Sequence, residues 1–123
     1  MKTTDVQRVW HMKKYCEQIA AAIVRFGSTY DFFKTDHDYQ NTLAMSIMQI
    51  GEMSSRLSDD FKEANNHIEW HAIKGMRNLF AHEYLSMDKP TVWETATSDI
   101  PKLLAFIDEI IENNKEAFTP PTA

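Results

Sequence analysis

One cysteine, three glycines and four prolines are all that this 123-residue chain carries of the residues that staple or turn a backbone. A lone thiol, Cys16, excludes an intrachain disulfide and points to a reducing compartment. Glycine and proline are too scarce for the many tight turns of a β-sandwich, the more so because Pro120 and Pro121 stand in the last few positions. Long helices are therefore favoured. No apolar run approaches the ~20 residues that span a bilayer, and the first residues lack the apolar segment of a signal peptide, so a cytoplasmic protein without a membrane partner is expected. A basic excess is missing too. The net charge of −5 argues against a broad, sequence-blind nucleic-acid footprint but leaves room for a small basic cleft on an acidic body. What is present is ordinary for a globular protein, 43% hydrophobic and 25% charged residues. A single domain over residues 1–118 with a disordered tail at 119–123 is the expectation.

The apolar residues recur with helical periodicity. Val9, Met12, Cys16, Ile19, Ile23 and Phe26 alternate at spacings of three and four, which makes one stripe on a helix of about six turns. Thr4-Asp5-Val6-Gln7 has the form of a capping box at its start, and Gly27 is placed to stop it. The aromatic-rich connection Ser28–Asp38 is expected to pack down as a single turn. A second stripe, Tyr39, Leu43, Ile47, Ile50, Met53 and Leu57, predicts a helix from about Asp38 to Leu57. Gly51 within it costs about 1 kcal/mol relative to alanine, so a close helix–helix approach is predicted there. Ser58 is expected to cap a short turn through Phe61 and Ala64. A third helix should begin near Glu69 or Trp70, and Asp88-Lys89-Pro90 should cap another. Pro101 must kink that helix or start a new one capped by Ser98. Together these elements predict an all-α antiparallel bundle of about four to five helices.

The candidate chemistry lies in Gly75–Tyr84. Arg77, Asn78, His82 and Tyr84 stand among Met76, Leu79, Phe80 and Ala81, which read as a buried helix. Polar groups against an apolar face cost roughly one to several kcal/mol each unless paired. Capping and solvating the helix end is one way to offset that cost, and a site for an anionic substrate is another. Arg77 and His82 would suit metal-free cutting of RNA by its own 2′-hydroxyl. Imidazole titrates near the working pH and can move protons, while guanidinium binds two phosphate oxygens in a planar fork. On a regular helix the two lie ~140° apart. They would converge only if the helix ended near His82, or if a second copy brought its own pair across a two-fold axis.

Other constellations are weaker. His67 and His71 have the i, i+4 spacing of a metal-binding pair, but Ile68 stands where a metallohydrolase has glutamate, and two ligands are too few; no metal is expected. Cys16 falls on the core stripe and reads as a small buried residue rather than a nucleophile. Neither a Gly-x-Ser-x-Gly elbow nor a phosphate-cradling glycine loop is present.

Arg77-Asn78-Leu79-Phe80-Ala81-His82-Glu83-Tyr84 resembles the Arg-x4-His-x-Tyr motif of HepT-like toxins in the HEPN superfamily. Ile50-Gly51-Glu52 with Arg56-Leu57-Ser58 is similar to that family's second-helix signature. Ile68-Glu69-Trp70 with Ile73 and Met76 looks like its approach to the motif, and Val92-Trp93-Glu94 with Asp99-Ile100-Pro101 looks like its last-helix segment. Glu69 and His67 depart from it, each standing where the family often has proline. The resemblance covers roughly Val6 to Ile111. It implies an all-helical homodimer whose paired Arg77 and His82 are catalytic and cut RNA without metal or other cofactor, with Asn78 supporting the site. It also implies a nucleotidyltransferase antitoxin that moves AMP from ATP to Tyr84 and silences the nuclease, as in type VII toxin–antitoxin systems. Two other functions compete with this one: a non-catalytic helical subunit that positions a nucleotidyltransferase or its nucleotide, and a plain structural bundle.

Overall fold

The structure, a computed structural model, describes residues 1–78 and 88–119. Within them every regular element is helical: α1 (Thr3–Phe26), α2 (Tyr30–Phe33), α3 (His37–Ser55), α4 (Asp59–Ala64), α5 (Trp70–Gly75), α6 (Lys89–Glu94) and α7 (Ile100–Asn113). A 3-10 turn, Met76–Asn78, extends α5, and a π-helical turn, Thr95–Asp99, joins α6 to α7. Among these residues no helix is long and apolar enough to cross a membrane.

The stripe on α1 is buried over most of its length, with Val9, Met12, Cys16 and Ile19 almost wholly removed from solvent, while Ile23 and Phe26 at its end are half-buried and Ala22 goes under in their place. It faces Leu43, Ala44, Ile47 and Ile50 of α3, and Ile100, Leu103, Ile107 and Ile110 of α7 complete the core. The two long helices run antiparallel. Asp5 near the start of α1 meets Ser58 just past the end of α3, and Phe26 at the other end stacks on Tyr39 with centroids 5.0 Å apart. Lys13 forms an ion pair with Asp108, and Trp10 meets Phe118 edge-on at 5.8 Å, so the start of α1 also lies beside the end of α7.

Turn chemistry sets the joints. Gly27 ends α1 at φ 110, a conformation that a side chain strains. Its carbonyl accepts a 2.8 Å bond from the Tyr39 hydroxyl, which ties the α1–α2 corner to α3. Asp36, Ser58 and Asp88 each accept a bond from the backbone N–H three residues on, so these three caps hold α3, α4 and α6 at their starts.

One local expectation fails for a reason of tertiary structure, and at Pro101 one of two alternatives is taken. The capping box at Thr4 is not formed: α1 begins at Thr3, and Lys2 at its cap makes no side-chain bond. Asp5 is instead buried and accepts from the backbone N–H (2.8 Å) and hydroxyl (2.6 Å) of Ser58, so it braces the start of α4. Asp5→Ala would leave that part-buried N–H without its acceptor. A loss of about 1–3 kcal/mol is expected, read as a lowered Tm; an unchanged Tm would contradict this brace. At Pro101 neither a new capped helix nor a Ser98 cap is seen. Asp99 precedes α7 in helical conformation with no side-chain cap bond, and the backbone runs through the π turn into α7. Proline has no N–H to give to the preceding turn, and the wider π turn directly upstream is where the helix absorbs that loss.

Candidate active site

Arg77 reaches its place through a short, well-anchored segment. The Trp70 indole N–H donates to the Asn65 carbonyl at 3.0 Å, and its ring meets Phe61 edge-on at 5.9 Å. Ile68 and Ile73 are buried on either side of this start. From Trp70 the chain makes α5, and at Met76 it tightens into the 3-10 turn that carries Arg77 and Asn78. The regular helix therefore ends at Gly75, before Arg77. Arg77 thus lies outside the regular helix α5, the geometry on which the ~140° separation was reckoned. His82 and Tyr84, like the rest of 79–87, lie outside the described residues.

The predicted close approach at Gly51 is present. A Cβ there would fall inside 3.0 Å of the Arg77 backbone nitrogen and 3.1 Å from both the Arg77 Cα and the Ile73 carbonyl oxygen. The absence of a side chain at Gly51 is thus what lets the 3-10 turn rest on α3. Backbone contact fixes where Arg77 starts, while its side chain stays 40% exposed. Asn78 is exposed as well, beside it in the same turn.

Beside Gly51 stands a carboxylate with two cationic neighbours. Arg56 places Nε 3.2 Å and Nη2 3.1 Å from Oε1 of Glu52. The other oxygen, Oε2, is 4.0 Å from Nη1 of Arg77. Arg56 in turn receives a hydrogen bond on its backbone carbonyl from the Arg8 guanidinium, which joins the start of α1 to the end of α3. Sequence reasoning singled out Arg77 but gave Glu52 and Arg56 no part in the site. Their i, i+4 spacing on α3 was the available signal.

The remaining candidates fall away from this cluster. His67 precedes α5, so the helical spacing to His71 does not apply, and its ring packs edge-on against Phe106 at 5.5 Å. It lines a groove of about 480 Å³ between α5 and the α6–α7 rod, with Ile73, Met76, Thr95 and Leu103. Among the described residues, no three or more His, Cys, Asp or Glu side chains gather where they could hold a metal ion. Cys16 is fully buried, and burial, with lesser help from the charges of Glu17 and Asp108, pushes its thiol from 9.0 up to about 12. Such a thiol carries almost no thiolate at neutral pH and is no nucleophile.

Comparison with known proteins fits this geometry. The family model described as ribonuclease HepT-like matches residues 12–110, which takes in α3, the Arg77 turn and most of α7. A protein of Caldanaerobacter subterraneus subsp. tengcongensis, named as an RNase, is 29% identical over 105 residues, spanning 85% of this chain and 92% of the relative. A protein of Thermococcus cleftensis whose name places it with ribonuclease HepT is 31% identical over 96 residues, covering 74% of this chain and 87% of that one. One from Methanocaldococcus jannaschii, also named as an RNase, is 30% identical over 93 residues, covering 68% and 80%. No solved structure gives a significant match. With most of its length inside the family model, and α3 packed on the turn that carries the motif arginine, the chain belongs to the ribonuclease HepT-like family.

Proposed function

We propose that this chain is the toxin of a type VII toxin–antitoxin pair, a metal-independent endoribonuclease that acts as a homodimer. The observation that carries this reading is the Arg77 guanidinium, held at its backbone by contact with Gly51 and left 40% exposed at its tip. A cation placed in that way is ready to take a phosphodiester in bidentate fashion. In the reaction, the 2′-hydroxyl of RNA attacks the adjacent phosphorus and the bond to the 5′-oxygen breaks. This yields a 2′,3′-cyclic phosphate and a 5′-hydroxyl end. Arg77 stabilises charge on the non-bridging oxygens, and His82 transfers protons. One imidazole per chain supplies one proton-transfer group, so the dimer brings two: one takes the 2′-hydroxyl proton and the other protonates the leaving oxygen. Asn78, next to Arg77, supports the site by hydrogen bonding.

In this reading Tyr84 is the control point. A nucleotidyltransferase antitoxin transfers AMP from ATP to its phenol and releases pyrophosphate. The added phosphate, two residues from His82, then repels the RNA phosphate from the site. Co-expression with the neighbouring nucleotidyltransferase is expected to add one or more AMP units to the intact mass and to abolish RNA cleavage, with Tyr84→Phe escaping both. Neutralisation of the toxin with no change in mass would overturn the AMP transfer step.

A further inference from the structure

Glu52 lies beside the catalytic arginine with no part assigned to it, and its geometry is specific. One oxygen takes both Arg56 contacts, Nε at 3.2 Å and Nη2 at 3.1 Å, which turns the carboxylate so that Oε2 faces Arg77. The gap to Arg77 Nη1, 4.0 Å, exceeds a hydrogen bond, so the attraction is Coulombic. Glu52 follows Gly51 directly, and Gly51 is where the α3 and Arg77 backbones touch. The separation of carboxylate and guanidinium is therefore anchored at the backbone as well as by the side chains. Both side chains are more than a third exposed, 38% for Glu52 and 40% for Arg77, so water screens the pair and the tether is weak. Two guanidiniums around one carboxylate also leave a net positive charge for an incoming anion.

We propose that Glu52 is the positioning residue for Arg77: braced by Arg56, its carboxylate holds the Arg77 guanidinium in place and yields it to the substrate phosphodiester. This rests on the function proposed above for Arg77. Arg56 keeps Glu52 occupied on one side, so the carboxylate orients Arg77 without neutralising the cluster. A phosphate oxygen within hydrogen-bond distance out-competes a carboxylate 4.0 Å away.

The charge of Glu52 has opposing effects on binding and turnover, which gives the proposal a signature. It repels RNA phosphate in the ground state, and it aligns Arg77 for the transition state. Glu52→Gln should therefore lower kcat about tenfold while also lowering KM about threefold. Glu52→Asp keeps the charge on a shorter arm and should lower kcat with KM near the wild-type value. A merely structural role would reduce active protein, and hence apparent kcat, without tightening KM. The independent readout is the Arg77 Nε–Hε signal in 15N NMR of the full chain, assigned by its loss in Arg77→Lys. Glu52→Gln should shift this signal and speed guanidinium rotation, leaving that of exposed Arg25 unmoved. An Arg77 signal unchanged in Glu52→Gln, or a KM that stays level or rises, overturns the proposal even where wild-type protein cuts RNA. Wild-type protein that cuts no RNA, with an Arg77 signal that responds to Glu52, removes the ribonuclease reading and leaves the tether standing.

Discussion

Arg77→Ala is expected to lower RNA cleavage by about a hundred- to a thousandfold, the usual cost of removing one preorganised group that stabilises charge in the transition state. The fold should survive, because the side chain is 40% exposed and its charge partner among the described residues, Glu52, keeps its closer contacts to Arg56. His82→Ala is expected to fall as far, since without imidazole neither proton transfer has a group of suitable pKa. Cleavage rates on a defined RNA, measured beside Tm for each variant, check both. A variant that folds as wild type and still cuts within tenfold of it would contradict the role given to that residue.

Gly51→Ala is expected to do the next largest damage, without touching a polar side chain. The added Cβ would press on the Arg77 nitrogen, the Arg77 Cα and the Ile73 carbonyl, all of them backbone atoms that no rotamer change can move aside. Either α3 or the 3-10 turn must shift. Overpacking of this kind costs about 1–3 kcal/mol, and a shift of about 1 Å at a positioned catalytic group costs on the order of a hundredfold in rate. Lower Tm and a loss of cleavage of about ten- to a hundredfold are expected together. Gly75→Ala is the matched control. It lies two residues before Arg77 in the chain, yet among the described residues a Cβ there meets nothing within 4 Å. That variant should keep its activity and gain up to about 1 kcal/mol from reduced chain entropy. Equal losses in the two variants would remove the contact between α3 and the Arg77 turn from the account.

Much of the architecture is legible in the sequence because the core is one-sided. Cys16 and Ile19 fall on the three-four rhythm of α1, Leu43 and Ile47 on that of α3, and all four are buried. Ser58 and Asp88 mark helix starts by local chemistry alone, and both cap as expected. Gly51 was readable as a contact point because glycine in mid-helix is costly unless something lies against it. Asp5 was passed over for the opposite reason. Its partner Ser58 is 53 residues away, and no local rule reports such a bond. At Pro101 the sequence leaves one long helix or a new one equally open, and the fold takes the first, a single π turn carrying the helix up to the proline. Arg77 was singled out by its chemistry, but the groups beside it were not. Glu52 and Arg56 looked like one more exposed ion pair on α3 until the fold laid Arg77 against them.

The site follows from that placement. A chain of net charge −5 attracts RNA poorly as a whole, so whatever affinity it has must come from a local excess of cations. Among the described residues, Arg77 and Arg56 share one carboxylate, a local excess of cations that the proposed RNA site would use. The competing reading, a subunit that binds nucleotide or partner without chemistry, asks nothing of Arg77 beyond charge. Lysine would serve there nearly as well as arginine. A phosphodiester in bidentate contact demands the planar fork, which lysine lacks.

The most direct test is to identify the ends left on RNA by the purified wild-type chain in the presence of EDTA. The account predicts cleavage at an undiminished rate, with a 2′,3′-cyclic phosphate on one fragment and a 5′-hydroxyl on the other. It also predicts no cut where the 2′-hydroxyl at the scissile position is replaced by hydrogen. Uncut RNA, or products ending in a 5′-phosphate, would contradict it.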